Sequence, residues 1–293
     1  LDVRMRPGGV LASLVRARRG DLLPATPVVS PTGLARWMKP LLAAAVVNVW
    51  MVSGGGHAVV LVGLWLGWAV VVPSGLQTII QAATAAGVFI PRLCYHPEFK
   101  AHGSCKLCTV KVNGRHTASC TMRAAPGMVV ESETEEINAE RRALTQMLFV
   151  EGNHFCPSCE QSGNCQLQAT AYHLGMMSPH YDHFFPNRPV DASHPEVLLD
   201  FNRCILCSLC VRASRDVDGK NVFALSGRGI GTHLIVNAKS GQLADTNFTL
   251  ADKAAQVCPV GVILKKRKGF AVPIGERKYD KAPISEPATT EGR

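Results

Sequence analysis

The stretch Arg203–Cys210, RCILCSLC, decides how the C-terminal part of this chain folds. Three cysteines with the spacing C-x2-C-x2-C are typical of [4Fe–4S] ligation, in which a cysteine followed by proline supplies the remaining thiolate. The matching pair here is Cys258-Pro259, after 47 intervening residues. No second C-x2-C-x2-C motif is present, so the fold is expected to bring Cys258 back to this stretch. The predicted ligands, called the third set from their order along the chain, are Cys204, Cys207, Cys210 and Cys258.

A second set of cysteines lies upstream and is one thiolate short. Cys156, Cys159 and Cys165 have the spacing C-x2-C-x5-C, and His154 stands two residues ahead of Cys156. Imidazole replaces thiolate in some iron–sulfur centres, so His154 is the predicted fourth ligand of a [4Fe–4S] cluster. Three other histidines remain as alternatives: His173, His180 and His183.

The first set has the spacing C-x10-C-x2-C-x11-C. Gly103-Ser104 precedes its central pair, and such a small-residue loop lets backbone N–H groups approach inorganic sulfur. One upstream ligand, a close pair and one later ligand indicate a [2Fe–2S] cluster. A zinc ribbon is the alternative, but a ribbon pairs two C-x2-C knuckles and this set has only one. The predicted ligands are Cys94, Cys105, Cys108 and Cys120.

The three sets account for all eleven cysteines of the 293-residue chain. An odd number in a chain of this length argues against a disulfide framework and favours metal-bound thiolates in a reducing compartment. The predicted cofactors are one [2Fe–2S] cluster and two [4Fe–4S] clusters. The sequence therefore predicts a cytoplasmic electron-transfer protein.

The formal charge of +9 does not indicate nucleic-acid binding. Within residues 1–40, seven basic residues are balanced only by Asp2 and Asp21, and cluster-bound thiolates would lower the charge of the remainder. The basic run Lys265–Lys268 is interpreted as a solvated or partner-docking face. Arg203 and Arg212 flank the third set, and we hypothesise that their charges raise the redox potential of its cluster.

Residues 1–56 are predicted to be an extension that is disordered or results from a wrongly chosen translation start. Residues 41–72 carry no charged side chain and include the apolar run Ala58–Val72. Three interpretations stay open for this region: strands over Val59–Leu66 and Trp68–Val72, a membrane or interfacial segment, and a mis-assigned start. The uninterrupted run is shorter than the roughly 20 apolar residues of a transmembrane helix.

Regular elements are predicted beyond this region. A helix is expected over Leu76–Ala86, with Ser74 as its N-cap and Gly87 at its C-terminal end. Short strands are expected at Thr109–Val112 and Val129-Val130, next to turns at 113–114 and 126–127.

A second helix is predicted to follow these strands and to lead the chain to His154. Its start is indicated by the capping box Ser132-x-x-Glu135. The positions predicted to share its apolar face are Ile137, Leu144, Met147 and Leu148.

No nucleotide or flavin site is predicted. The chain lacks a G-x-x-x-x-G-K-[ST] loop, and Gly227–Gly231 does not match G-x-G-x-x-G. No pair of side chains indicates acid–base or nucleophilic chemistry, so we predict no catalytic centre in this chain. Bond-making reactions are expected on partner subunits.

Four segments resemble the gamma, or small diaphorase, subunit of NAD-reducing [NiFe] hydrogenases. They are EGNHFCPSCEQSGNCQLQ (Glu151–Gln168), RCILCSLC (Arg203–Cys210), AQVCPVG (Ala255–Gly261) and IGERKYD (Ile274–Asp280). A similar three-cluster arrangement occurs in the N-terminal part of the complex I 75-kDa subunit. It also occurs in accessory regions of some [FeFe] hydrogenases and formate dehydrogenases. The position of His154, two residues before Cys156, follows the diaphorase pattern.

The resemblance implies an α+β chain with three cluster domains. They are a β-grasp [2Fe–2S] ferredoxin-like domain over 57–134, a helical [4Fe–4S] domain with one His and three Cys ligands over 135–180, and a ferredoxin-like [4Fe–4S] domain over 181–270. Residues 271–293 are expected to form a C-terminal docking tail. Family members begin with a short polar β-hairpin, whereas this chain has an apolar stretch before Pro73.

The resemblance also implies partners and a direction of electron flow. Electrons from H2 on [NiFe] hydrogenase small and large subunits enter at the cluster of His154 and pass to the cluster of Cys258. They then pass to the [2Fe–2S] cluster and to an FMN flavoprotein that reduces NAD+. A complex I-like or formate dehydrogenase electron-transfer subunit is the alternative, and a zinc-binding structural module is another. Membrane association through residues 41–72 and the choice between NAD and NADP stay open.

Overall fold

The computed structural model describes residues 2–5, 11–12 and 77–286, in which helices and strands are mixed. The helices are α1 (Ile79–Ala85), α2 (Glu135–Val150), α3 (Gln166–His173), α4 (Leu209–Asp216), α5 (Lys253–Gln256) and α6 (Lys278–Lys281). The strands are β1 (Asp2–Met5), β2 (Leu11–Ala12), β3 (Thr109–Val112), β4 (Arg115–Ala118), β5 (Val129–Glu131), β6 (Val190–Asp191), β7 (Val197–Asp200), β8 (Phe223–Ser226), β9 (His233–Val236) and β10 (Ile263–Lys265).

The chain divides into two compact units. Unit 1 comprises residues 1–86 and 109–137, and unit 2 comprises residues 87–108 and 138–293. The second and third cysteine sets both belong to unit 2. Of the first set, Cys94, Cys105 and Cys108 belong to unit 2 and Cys120 to unit 1.

Unit 1 contains a five-stranded sheet with the order β2-β1-β5-β3-β4. Strands β3 and β4 form an antiparallel hairpin in which Val110 lies opposite Thr117. The connecting residues Asn113 and Gly114 both have positive φ, 49° and 82°, as a two-residue hairpin turn requires. Strand β5 pairs with the other edge of β3. The strands predicted at Thr109–Val112 and at Val129-Val130 are therefore confirmed.

Two strands of this sheet come from the beginning of the chain. Strand β1 pairs antiparallel with β5, placing Val3 opposite Val130, and also pairs with β2. Both strands lie within residues 1–56, the predicted extension. Without β1, β5 would be an edge strand, and β1 satisfies the N–H and C=O groups on the side of β5 that faces away from β3. The strands predicted over Val59–Leu66 and Trp68–Val72 lie outside the described residues. Within the described part of the chain, no helix is both long and apolar enough to cross a membrane.

Helix α1 begins later than the sequence predicts. Its N-cap is Thr78, which forms a capping box with Gln81, and the Thr78 N–H donates to Oε1 of Gln81 at 2.9 Å. Gln77 and Thr78 are therefore not helical, contrary to prediction, because this box satisfies the first amides. Ser74 lies outside the described residues. Gly87 follows the helix with a φ of 72°, which confirms its predicted place at the C-terminal end.

Helix α2 is capped by a residue that the sequence prediction did not choose. Thr134 Oγ1 accepts a hydrogen bond from Ile137 N–H at 3.3 Å, so Thr134, not Ser132, is the N-cap. The two candidates differ by two positions, and only the backbone conformation selects between them. Glu135 and Glu136 fill the first turn, where negative charge complements the helix dipole.

The buried face of α2 differs in part from the predicted one. Ile137 is fully buried, and Leu144 and Leu148 are partly buried. Met147 is 47% exposed, so its predicted place on the buried face is wrong. Arg141 is fully buried instead, and its Nε donates to the carbonyl oxygen of Leu107 at 3.0 Å.

Unit 2 is organised around a hydrophobic core. Strand β7 lies between β6 and β10 in a three-stranded sheet, and β8 and β9 form a separate hairpin. Side chains from four elements meet in the core and are fully buried, namely Leu199, Ala213, Phe223 and Ala254. The core therefore fixes the elements that carry the third cysteine set relative to one another.

Candidate iron–sulfur cluster sites

The loop of the third set turns sharply around its cysteines. Leu206 and Ser208 both have positive φ, 54° and 58°. Such a left-handed backbone turns amide groups toward a common centre. The Leu206 N–H accordingly donates to Sγ of Cys204 at 3.4 Å. Cys210 lies in the first turn of α4, which begins at Leu209.

Cys258 returns to this loop at the end of helix α5. The Asp218 carboxylate holds the start of that helix, because it accepts hydrogen bonds from the N–H groups of Lys253 at 2.8 Å and Ala254 at 3.0 Å. Cys258 then lines a cavity together with apolar side chains such as Val260 and Val262. The other cysteines lining it are Cys204, Cys207 and Cys210. The fold thus brings together cysteines that are far apart in the sequence.

Burial keeps the thiols of the third set protonated. It raises the pKa of Cys204 to about 11. Burial also raises the pKa of each of the other three thiols, Cys207, Cys210 and Cys258. Cluster ligands are thiolates, so these four thiols would lose their protons on binding a cluster, and its iron would supply the positive charge that the apolar walls lack.

The second set lies in the loop between α2 and α3. Cys156 begins a 3-10 turn, and Cys165 is the N-cap residue of α3. Burial, and to a smaller extent the neighbouring charges of Cys156 and Cys159, raise the pKa of Cys165 to about 12. The three cysteines are therefore close enough to influence one another. The Gln166 N–H donates to the carbonyl of Pro259 at 2.8 Å, which joins this loop to the segment after Cys258.

His154 has the properties of a metal ligand. Its Nε2 is buried and makes no hydrogen bond to any described residue. Burial, with smaller contributions from the charges of Arg203 and Arg188, lowers its pKa to about 4, so the imidazole is neutral at neutral pH. A neutral, unpartnered and buried ring nitrogen fits metal coordination, since a buried polar atom otherwise finds a partner.

The alternative histidines lack this environment. His180 and His183 are exposed. His183 stacks on Phe185 with ring centroids 5.2 Å apart, and His173 packs edge-on against Phe89 at 5.0 Å. The structure therefore favours His154 over these three.

The loop that carries His154 is fixed by Asn202, a residue that the sequence reasoning missed. Asn153 donates to Asn202 O through its backbone N–H at 2.9 Å and to Oδ1 through its side-chain amide at 3.1 Å. Gly152 supplies the space for this approach. A Cβ at that position would lie 2.7 Å from Nε2 of His154 and 2.9 Å from the carbonyl of Asn202. Gly152, two residues before His154, was the sequence signal that could have indicated this close approach.

Cys94 and Cys105 of the first set meet in unit 2. The Cys105 N–H donates to Sγ of Cys94 at 3.4 Å, and Gly103 and Lys106 have positive φ, 71° and 57°. Hydrogen bonding from Cys105 lowers the pKa of Cys94. Cys108 is buried in the same unit. Cys120 is buried in unit 1, just after β4. Its role as the fourth ligand of the same cluster therefore stays a prediction.

The two arginines that flank the third set reach toward other cysteine sets. Arg203 donates through Nη1 to Sγ of Cys159 at 3.4 Å. Arg212 is 6% exposed and donates to the carbonyls of Cys94 and Lys100. Their contacts therefore extend beyond the cluster to which the sequence hypothesis assigned them.

The C-terminal segment lies against the loop of the second set. The Tyr279 N–H donates to the carbonyl of Gly163 at 2.8 Å, and the Lys278 N–H donates to Oδ1 of Asn164 at 3.0 Å. Burial, followed by the charge of Cys165, raises the pKa of Tyr279 to about 12. The expected tail thus includes residues that are hydrogen-bonded to the loop of this chain's own second cysteine set. A docking role for residues 271–293 stays a prediction.

The residues of the second and third sets fit iron–sulfur clusters. Soft sulfur donors surround an apolar cavity in the third set. The second set adds an imidazole nitrogen that has no partner among the described residues. Backbone and side-chain N–H groups already point at sulfur atoms of Cys204 and Cys159. Such donors stabilise the charge of cluster-bound sulfur.

Family models match three consecutive parts of the chain. Residues 67–135 match a 2Fe-2S iron-sulfur cluster binding domain, and residues 141–180 match the NADH-ubiquinone oxidoreductase-G iron-sulfur binding region. Residues 197–264 match a 4Fe-4S single cluster domain. The chain therefore contains iron–sulfur domains of both kinds.

Individual proteins show similarity over the same region. The gamma subunit of the NAD-reducing hydrogenase HoxS from Cupriavidus necator is 42% identical over 205 residues, which cover 70% of this chain and 87% of that protein. The mitochondrial NADH-ubiquinone oxidoreductase 78 kDa subunit of Candida albicans is 36% identical over 202 residues, but this match covers only 27% of that protein.

A solved structure shows the same relationship. One chain in a crystal structure of NAD+-reducing [NiFe]-hydrogenase in the H2-reduced state has 51% sequence identity and a TM-score of 0.71. The match covers 74% of this chain and 93% of that chain. The resemblance therefore extends from the cysteine motifs to the fold.

Proposed function

The chain belongs to the family of iron–sulfur gamma subunits of NAD-reducing hydrogenases, and we propose that it relays electrons between a [NiFe] hydrogenase module and an FMN- and NAD-binding diaphorase module. It is an electron-transfer subunit of an NAD-linked oxidoreductase. The observation that carries the proposal is the convergence of the distant Cys258 with the three cysteines of the C-x2-C-x2-C stretch on one apolar cavity. Such a set of soft donors suits iron and sulfide rather than an organic substrate.

The proposed cofactors are one [2Fe–2S] and two [4Fe–4S] clusters. The [2Fe–2S] cluster is assigned to a β-grasp domain with Cys94, Cys105, Cys108 and Cys120. The helical domain would hold a [4Fe–4S] cluster through His154, Cys156, Cys159 and Cys165. The ferredoxin-like domain would hold the other through Cys204, Cys207, Cys210 and Cys258. When bound, these clusters supply centres that accept and release single electrons.

The residues of the chain prepare these centres in three ways. Burial of thiols such as those of Cys94, Cys165 and Cys207 would shield a bound cluster from water and give it a low local dielectric. Amide groups such as that of Leu206 donate to ligand sulfur and stabilise its negative charge. His154 offers a neutral nitrogen in place of a thiolate, which would leave a cluster bound there less negative and would raise its potential.

The proposed partners are hydrogenase small and large subunits and an FMN flavoprotein. Neither nucleotide chemistry nor H2 activation is assigned to this chain, and both would occur on those partners. A cytoplasmic location is part of the proposal. The complex I assignment is the less favoured one because the identity to that relative is 36%, against 42% to the hydrogenase gamma subunit.

Anaerobic purification of the native complex through a tag on this chain tests the proposal. We expect iron and labile sulfide, EPR signals of both cluster types, a co-purifying flavoprotein and hydrogenase pair, and H2-dependent NAD+ reduction. Stoichiometric zinc without sulfide would exclude the clusters. Clusters accompanied by a complex I-type assembly without H2-dependent activity would exclude the hydrogenase assignment.

A Cys207→Ser variant provides the matched test within the complex. Its H2-dependent NAD+ reduction is expected to be lost, while H2-dependent reduction of an artificial dye at the hydrogenase module persists. Retention of NAD+ reduction would show that electrons do not pass through the third set.

A further inference from the structure

Arg203 joins the second and third cysteine sets. It immediately precedes Cys204 in the chain, yet its Nη1 donates to Sγ of Cys159, 44 residues earlier, at 3.4 Å. The side chain thus contacts a proposed ligand of one cluster, while the backbone continues into a proposed ligand of the other.

Two carboxylates hold the guanidinium in this position. Oε2 of Glu160 lies 2.6 Å from Nη1, and Oδ2 of Asp200 lies 2.7 Å from Nε. The three side chains are only 15% to 29% exposed. Nη1 serves both Cys159 and Glu160 while Nε serves Asp200, and the single ammonium of lysine does not reproduce this rigid fork.

The segment after Cys258 closes around the same contact. A Cβ on Gly261 would lie 3.1 Å from Nη1 of Arg203 and 3.3 Å from Sγ of Cys159. Any larger residue would therefore compete with the guanidinium for its place beside the sulfur. Parts of both sets and the arginine are packed as one group.

We propose that Arg203 is a positioning residue for electron transfer, which raises the redox potential of the cluster held by the second set relative to that of the third. Reduction adds negative charge to a cluster, and a charged hydrogen-bond donor at its thiolate stabilises that state. Glu160 acts in the opposite sense because its carboxylate adds negative charge beside Cys159. Arg203 itself is neither oxidised nor deprotonated, and the electron arrives and leaves through the neighbouring centres.

This inference rests on the proposed function, because it requires both clusters. A purely structural ion-pair group is the competing explanation. It predicts that substitutions of Arg203 and Glu160 both lower stability. It does not predict that the two substitutions shift the potential of the second-set cluster in opposite directions. Opposite shifts from the two substitutions are therefore the distinguishing result.

The experiment is an EPR-monitored redox titration of the purified complex carrying Arg203→Gln, Arg203→Lys or Glu160→Gln. Arg203→Gln is expected to lower the midpoint potential of the second-set cluster more than that of the third. Glu160→Gln is expected to raise it, and Arg203→Lys should give a shift smaller than that of Arg203→Gln. Arg215→Gln is the matched control, since it removes the same charge from an exposed site on α4.

Absence of the clusters from the unsubstituted complex would overturn the proposed function. Unshifted potentials in Arg203→Gln with all clusters present would overturn the role of Arg203 alone, as would equal shifts in the Arg215→Gln control. If Arg203→Gln fails to retain the second-set cluster, the Glu160→Gln variant is the deciding test. Absence of an upward shift in the potential of that cluster in Glu160→Gln would overturn the inference.

Discussion

The guanidinium of Arg212 donates a hydrogen bond to the carbonyl oxygen of Cys94, which lies 118 residues earlier in the chain. The same side chain donates to the carbonyls of Lys100 at 2.8 Å and Ser208 at 3.2 Å. It also lies over the ring of Phe99, 5.7 Å from its centroid. One buried arginine therefore fastens the loop of Cys94 to the C-x2-C-x2-C stretch within unit 2.

Replacing Arg212 by Gln should destabilise this loop. The change leaves buried carbonyl groups without their donor, at a cost of about 2–4 kcal/mol. Anaerobic urea unfolding followed by visible absorbance measures the loss, and the [2Fe–2S] signal should disappear first. Arg215→Gln, on the exposed side of the same helix, should behave like the unsubstituted protein. Equal stability of both variants would contradict the fastening role.

Replacing His154 by Ala should affect one cluster selectively. The buried Nε2 that has no partner among the described residues would be lost as a ligand. We expect an altered or missing [4Fe–4S] EPR signal and lower iron content, with the [2Fe–2S] signal unchanged. His180→Ala, at an exposed position, serves as the control. An unchanged spectrum in His154→Ala would exclude it as a ligand.

Gly152→Ala should reproduce part of the His154 effect without removing the imidazole. The added Cβ would meet Nε2 of His154 at 2.7 Å and the Asn202 carbonyl at 2.9 Å, so the ring must move. A shifted or broadened [4Fe–4S] signal is expected in EPR spectra. Gly231→Ala is the control, because a Cβ there meets nothing within 4 Å. Identical EPR spectra for the unsubstituted protein, Gly152→Ala and Gly231→Ala would argue against a constrained imidazole.

Asp218→Ala should destabilise helix α5, the segment that brings Cys258 to the other cysteines of the third set. The Asp218 carboxylate accepts from two N–H groups at the start of α5, and loss of such a cap costs about 1–2 kcal/mol. Hydrogen exchange of the complex should accelerate over residues 253–258, and the third-set cluster should be lost at lower urea concentration. Asp245→Ala, in an exposed turn, should leave exchange in this segment unchanged. Unaltered exchange in Asp218→Ala would contradict the capping role.

Tyr279→Ala should make the second-set cluster more sensitive to air. The Tyr279 N–H donates to the Gly163 carbonyl in the loop of this set, and burial, followed by the charge of Cys165, raises the pKa of the Tyr279 hydroxyl. EPR spectra after timed exposure to oxygen should show faster loss of this cluster than of the third-set cluster. The exposed Tyr181 offers the matched variant, Tyr181→Ala. Equal loss rates in both variants would show that the segment gives no protection.

Much of the site follows from spacing alone. The cysteine sets, the Asn113-Gly114 turn and Gly87 were predictable because short motifs fix local geometry or local ligand chemistry. The caps were less predictable, since Thr134 and Ser132 are both suitable residue types two positions apart, and the backbone decides between them. The buried Arg141 was missed because its partner, the Leu107 carbonyl, is 34 residues away.

The sequence by itself determined the candidate donor atoms, their spacing in three sets and the family to which the chain belongs. Those properties depend on residue identity and short spacing. Only the tertiary structure decided that Nε2 of His154 is the buried nitrogen without a described partner, and that Arg203 reaches Cys159. Such relationships depend on how the core packs distant segments, because a hydrogen bond between residues 44 apart leaves no periodic pattern in the chain.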